Sequence, residues 1–287
     1  MTTARGVLPF RLRLPLRAPW QLMAGGIIVA ILVALALFSF FAPPADATRG
    51  SLLLRFRAPG TPGLLLGSDQ LGRSLGSRAL SGLPWSIGIA SVATGIALLL
   101  GTTLGVLGAF YGGRIRAAVG LAVDTVIAFP ALVLAVTVIA VIGRGFWPIA
   151  ITLGLSTWPI AARVARAAAL GILARDYVTA AKLLGVGPIA ILLTHVLPAL
   201  LPVLLVMAAF IFADMLILES ALSFLGLGPP LSTPSWGNML ADSRQFLTQA
   251  PWMMLVPAGC IVVAVVGLNL LGDGLAARTQ ARMTGMP

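Results

Sequence analysis

Six runs of mainly apolar residues, separated by polar connections, set the pattern of this chain: about 21–42, 84–110, 119–142, 147–169, 196–218 and 251–272. A helix needs roughly 20 such residues to cross a hydrocarbon core, so each run predicts a spanning helix. The second is longer than a straight crossing needs, which implies tilt or an interfacial extension. Polar positions concentrate in two places. One is the connection from Pro43 to Gly82, where Ser68 to Leu80 reads as an amphipathic helix with Leu71, Leu75 and Leu80 on one side and Arg73 and Arg78 elsewhere. Its role is either interfacial anchoring or contact with another protein. The other is the island between the fourth and fifth runs. There Ala161 to Leu184 predicts a helix ended by Gly185, and Gly187-Pro188 predicts the start of a second, shorter one.

Composition changes the solvent. Of 287 residues, 59% are hydrophobic and only 9% charged, with a mean hydropathy of +1.04. A soluble globule of this length needs about 25% charged residues, so the surroundings of most of this chain are lipid. The net charge of +11 forms no basic stripe with interleaved aromatics, which excludes the usual nucleic-acid footprint. Arg5, Arg11, Arg13 and Arg17 precede the first run, which is read as a retained helix and not as a cleaved signal.

The basic residues set an orientation. With the N-terminus inside, twelve of them face the cytoplasm and seven face out, five of those seven in the long 43–82 connection. Long loops weigh little in the positive-inside rule, so the expectation is six spans with both termini cytoplasmic. The polar island then lies inside, where Arg163, Arg166, Arg175, Asp176 and Lys182 face either anionic lipid or a soluble partner.

Candidate chemistry is sparse. His195 is the one histidine and Cys260 the one cysteine, so neither a multi-His site nor a Cys-based metal site is expected. His195 is expected to hydrogen-bond the backbone of its loop. No Gly-x-x-x-x-Gly-Lys-Ser/Thr phosphate loop is present, and no catalytic triad or carboxylate pair stands out; the chain is expected to be non-catalytic. Intramembrane acids are costly and therefore candidates for function. Asp124 is expected to pair with a basic neighbour. Asp214 and Glu219, five residues apart, do not share one tight helix face; with Ser220 and Ser223 they either line a path or fix a packing or subunit contact.

The island carries a resemblance. Thr179-Ala-Ala-Lys-Leu-Leu-Gly185, followed after nine residues by His195-Val-Leu-Pro198, resembles the EAA loop of ATP-binding-cassette importer permeases. In that family the loop docks into a cleft on a cytoplasmic ATPase. The resemblance assigns ATPase coupling to Asp176, Thr179, Ala180, Ala181, Lys182, Gly185, His195 and Pro198. Thr179 departs from the family's usual Glu, and Asp176, a neighbour on the helix surface, is the candidate substitute. Further segments resemble the second permease subunit of dipeptide, oligopeptide and nickel systems: Leu66-Gly-Ser-Asp-Gln-Leu-Gly-Arg-Ser74, Gly108-Ala-Phe-Tyr-Gly-Gly113, Glu219-Ser-Ala-Leu-Ser-Phe-Leu-Gly-Leu-Gly228 with Pro234-Ser-Trp-Gly-Asn-Met239, and Asn269-Leu-Leu-Gly-Asp-Gly-Leu275.

The resemblance implies an all-α integral membrane protein with the type I importer permease fold, placed in a bacterial inner membrane. Its expected parts are a cytoplasmic segment 1–20, a first helix 21–42 and an extracytoplasmic loop 43–82. A five-helix core 83–275, containing the coupling loop 170–198, and a cytoplasmic tail 276–287 complete it. The implied cargo is a di- or oligopeptide, with nickel chelate, haem or another small solute as the alternative. The implied partners are a homologous permease, two ATPase domains that bind ATP and Mg, an extracytoplasmic substrate-binding protein and lipid. An ion-coupled secondary transporter using Asp214 and Glu219 is the rival from another class.

Overall fold

The computed structural model describes residues 18–44, 47–230 and 233–284, with side chains described from Trp20 to Thr279. Most of the expected segment 1–20 and the end of the expected tail therefore lie outside the described residues. Ten α-helices follow in order: α1 Ala18–Phe41, α2 Leu75–Tyr111, α3 Gly113–Ile127, α4 Ala131–Ile142, α5 Phe146–Leu173, α6 Asp176–Leu183, α7 Pro188–Ile191, α8 Leu197–Phe224, α9 Trp236–Ser243 and α10 Trp252–Thr284. One π-turn, Leu192–Val196, joins α7 to α8 without a break in direction.

Among the described residues, four helices are long and apolar enough to cross a membrane: Trp20–Phe41, Leu75–Tyr111, Pro188–Phe224 and Trp252–Thr279. A fifth span results if α3 and α4 count as one, although they meet at 81°. The expected continuous span 119–142 is thus broken. The cause is local: Pro130 has no N–H for the helix and disfavours α geometry at Phe129 before it, and it starts α4 instead. The expected fourth span, 147–169, lies within α5, whose Ser156, Thr157, Trp158 and Pro159 dilute its apolar character.

The centre of the bundle is the α2–α5 pair, with α8 against both; α1 and α10 pack on one another at its side. Small residues make the close approach possible. A Cβ on Gly101 would stand 2.6 Å from the carbonyl oxygen of Trp158, and one on Gly154 would stand 2.7 Å from Ile96. The main core gathers Ile89, Ala93, Ala97, Leu153, Ala161, Met215 and Leu222. Outward-facing Ile27, Val33, Phe38, Leu99, Val141 and Val263 are exposed, the apolar surface that lipid, not water, tolerates.

The 43–82 connection folds differently from expectation. Ser68 to Leu80 is not one amphipathic helix, and the boundary placed at 82 falls inside α2, which begins at Leu75. Asp69 is the reason. Its Oδ1 accepts from the N–H groups of Leu71 and Arg73, both at 2.9 Å, holding a turn. Gly67 and Gly72 adopt left-handed φ of 81° and 71°, which favours glycine. Ser74 then caps α2 by accepting from the N–H of Ser77.

Candidate functional site

At one end of the bundle the polar island forms a knob. The expected helix 161–184 stops at Leu173, and Arg175 is extended (ψ 147°), so that α6 starts anew at Asp176. Asp176 in its first turn and Lys182 in its last both suit the helix dipole. Its end is a Schellman motif: Gly185 takes φ 80°, the N–H of Val186 donates to the carbonyl of Ala181, and the N–H of Gly185 donates to that of Lys182, each at 3.1 Å. Gly187 and Pro188 begin α7.

The knob has its own core, in which Val178, Ile191, Val196 and Leu200 pack on Val106, Ala169 and Ile172. Val178 and Ala181, three residues apart, form the inner face of α6, and both are buried. Ala181 therefore seats the helix on its stem and does not offer a surface to a partner. Asp176, Thr179, Ala180, Lys182, Gly185 and Pro198 are exposed. Thr179 Oγ1 donates to the Arg175 carbonyl at 3.4 Å. The Lys182 ammonium lies 5.9 Å from the Phe110 ring centroid, which ties the knob to the end of α2. His195 hydrogen-bonds the Thr194 hydroxyl at 2.7 Å and stacks on Tyr177, with no bond to the loop backbone. Its ring faces a side chain because the π-turn carries it beside α6.

Sequence reasoning missed the apolar part of this surface. Leu183 and Leu184 are 84% and 83% exposed, and Ile189 is 67% exposed. Two leucines at the tip of a polar loop carry no sequence signal that separates tip from core.

At the opposite end of α8 the acids separate. Asp214 is exposed, whereas Glu219 is fully buried. Ser223 Oγ donates to Glu219 Oε1 at 2.9 Å, Ser220 Oγ to Oε2 at 3.4 Å, and Ser86 of α2 completes the cluster. Gly237 of α9 lies directly over Ser220 and Ser223. Above this cluster Trp236 is buried, its Nε1 donating to the Ala79 carbonyl at 2.9 Å. Asn238 Nδ2 donates to the Pro229 and Thr233 carbonyls at 3.2 Å each. The Pro234–Met239 segment thus clamps α9 onto α2 and α8.

A second buried assembly lies beside it. Asp69 Oδ2 accepts from Arg73 Nε and Arg78 Nη1, both at 2.7 Å, and Arg78 Nη2 reaches Asp242 Oδ2 of α9 at 3.2 Å. Arg78 is 2% exposed and Asp69 is 0%. The resemblance had pointed to Asp69 and Arg73, but their pairing with Arg78 and Asp242 was not foreseen. Asp124 does pair with a basic neighbour, Arg163, at 2.8 Å; both side chains are largely exposed.

Against known proteins, residues 80–285 match the family described as binding-protein-dependent transport system inner membrane component. The di/tripeptide transport system permease protein DppC of Pseudomonas aeruginosa is 36% identical over 91% of this chain and 90% of its own. The nickel transport system permease protein NikC of Escherichia coli K12 is 32% identical over 91% of this chain and 94% of its own. Among solved structures, an inward-facing MetNI methionine ABC transporter superposes with a TM-score of 0.58 at 19% identity, covering 69% of this chain and 94% of that one. That likeness supports the fold.

Proposed function

The chain belongs to the family of binding-protein-dependent inner-membrane transport components, and from that premise we propose that it is the permease subunit of a peptide importer. It is a multi-pass bacterial inner-membrane protein, an ABC importer permease related to dipeptide and nickel permeases. In our reading α5 is the sixth span, shielded by its neighbours, and both termini are cytoplasmic. The chain pairs with a homologous permease, and two ATPase domains carry the ATP and Mg. A binding protein delivers a di- or tripeptide to the face formed by 43–82 and α9. The nickel relative keeps a metal chelate as the second reading of the cargo.

One observation carries the coupling assignment: α6 ends in an exposed Leu183–Leu184 tip mounted on a small rigid core. A helix with apolar anchors and a polar rim suits a groove on a partner. The knob's core joins the lower turns of α5 and the start of α8, so a pull on α6 moves both. ATP supplies the work through its different affinity for the two conformations. The close α2–α5 contact then transmits a rigid shift, since packed helices slide by small steps.

The test is co-purification with an ATPase bearing a Walker motif, followed by coupled hydrolysis. Leu183→Asp with Leu184→Asp is expected to weaken ATPase association at least tenfold while leaving thermal unfolding of the subunit within a few degrees. Thr179→Glu is expected to tighten it roughly tenfold, about 1.4 kcal/mol, by adding a charge-assisted contact. A wild-type subunit that never associates with such an ATPase would overturn the reading.

A further inference from the structure

We propose that the cavity at the α9 end of the bundle is a cargo site that recognises a peptide carboxylate; this rests on the peptide importer reading above. The cavity holds about 440 Å³, within the range of small-molecule sites, roughly 300–1,000 Å³. Four separate segments wall it: Gln70 from the long connection, Arg144 between α4 and α5, residues between Ser223 and Pro229 at the end of α8 and just after it, and residues between Asn238 and Phe246 in α9 and the turn that follows it. Convergence of this kind makes a concave polar pocket where no single element has one.

Its charges are unbalanced. Asp242 is the carboxylate of the wall, and it is taken up by Arg78 at 3.2 Å and Arg73 at 4.0 Å. Arg144 and Arg244 have no acidic partner within salt-bridge distance among the described residues. Arg244 is held in place: its Nε donates to the Ala241 carbonyl at 3.1 Å, and its guanidinium stacks over Phe224 at 4.8 Å. That leaves its terminal nitrogens for an anion, and a guanidinium fork matches a carboxylate.

Two guanidiniums without an acidic partner around one small cavity suit the carboxylate of a short peptide. An acidic loop of a docking protein would use the same two arginines, but a cavity of about 440 Å³ is the size that a small ligand fills. Ser223 is both cavity wall and partner of Glu219, so the site adjoins the buried cluster of α8.

The experiment uses the assembled importer in nanodiscs, trapped with ATP and vanadate, and a dipeptide carrying a photoreactive diazirine and a free carboxylate. This chain is expected to be labelled. Dialanine should compete, and dialanine amide should compete at least tenfold more weakly. Arg144→Gln with Arg244→Gln should lower labelling at least fivefold, the double Lys variant should keep more than half, and docking of the loaded binding protein should stay within twofold. Equal competition by the amide, or unchanged labelling in the double Gln variant, overturns the assignment. So does a loss of binding-protein docking parallel to the loss of labelling, which would place a protein acid on the arginines. ATP-driven dialanine uptake by wild-type proteoliposomes tests the importer reading separately: uptake without labelling removes the cavity assignment alone.

Discussion

Asp69 holds the turn before α2 with one oxygen and two arginines with the other. Removing one member of a buried ion network strands its partners, at a cost of about 3–5 kcal/mol. Asp69→Ala is therefore expected to destabilise the long connection by that order, lowering the midpoint of thermal unfolding in detergent and exposing 50–74 to protease. An unchanged midpoint would show that Arg78 finds another partner. Glu219 is a different case, since three serines share its burial. The sequence pointed to Asp69 through a motif and to Glu219 through its place in an apolar run. It did not point to Arg78, which looked like an outward residue of an amphipathic helix and is instead among the largest fully buried side chains.

Among the elements, α6 is the most locally determined. Its dipole-matched ends, its left-handed Gly185 and the proline that starts α7 all follow from neighbours within a few positions. Gly185→Ala puts a Cβ into left-handed geometry, which costs about 1–2 kcal/mol. With open space around that Cβ, the expected result is a frayed knob in an intact bundle. Hydrogen exchange should rise for Leu184 to Val186 and stay level in α2 and α5. Protection unchanged at those amides would mean that the tertiary contacts of the knob, not its cap, hold the turn. The break at Ala174–Arg175 was less legible, because good helix formers run straight through it, whereas the burial of Val178 in one cluster with Ile172 and Val106 is a tertiary fact.

For the whole molecule, the arrangement in the membrane is the decisive expectation. Alkaline phosphatase inserted after Arg144 should be active, and the same enzyme inserted after Gly187 or fused after Pro287 should be inactive. Activity at Pro287 would reverse the orientation, and like activity at Arg144 and Gly187 would remove α5 as a span. The bend between α3 and α4 belongs to this scale too: Pro130 explains the break, but its 81° angle depends on what α3 and α4 pack against.

Length and apolarity of the runs, the glycine and proline punctuation, the caps and the order of motifs were determined by the sequence alone, because each depends on residues close in the chain. The meeting of Arg78 with Asp242, 164 positions apart, and the cavity drawn from four segments were decided only by the tertiary structure. So were the burial of Ala181 and the exposure of Leu183. In water, a polar stripe tells the outside of a helix from its inside. In lipid both faces are apolar, so periodicity falls silent and only packing says which residues a helix hides.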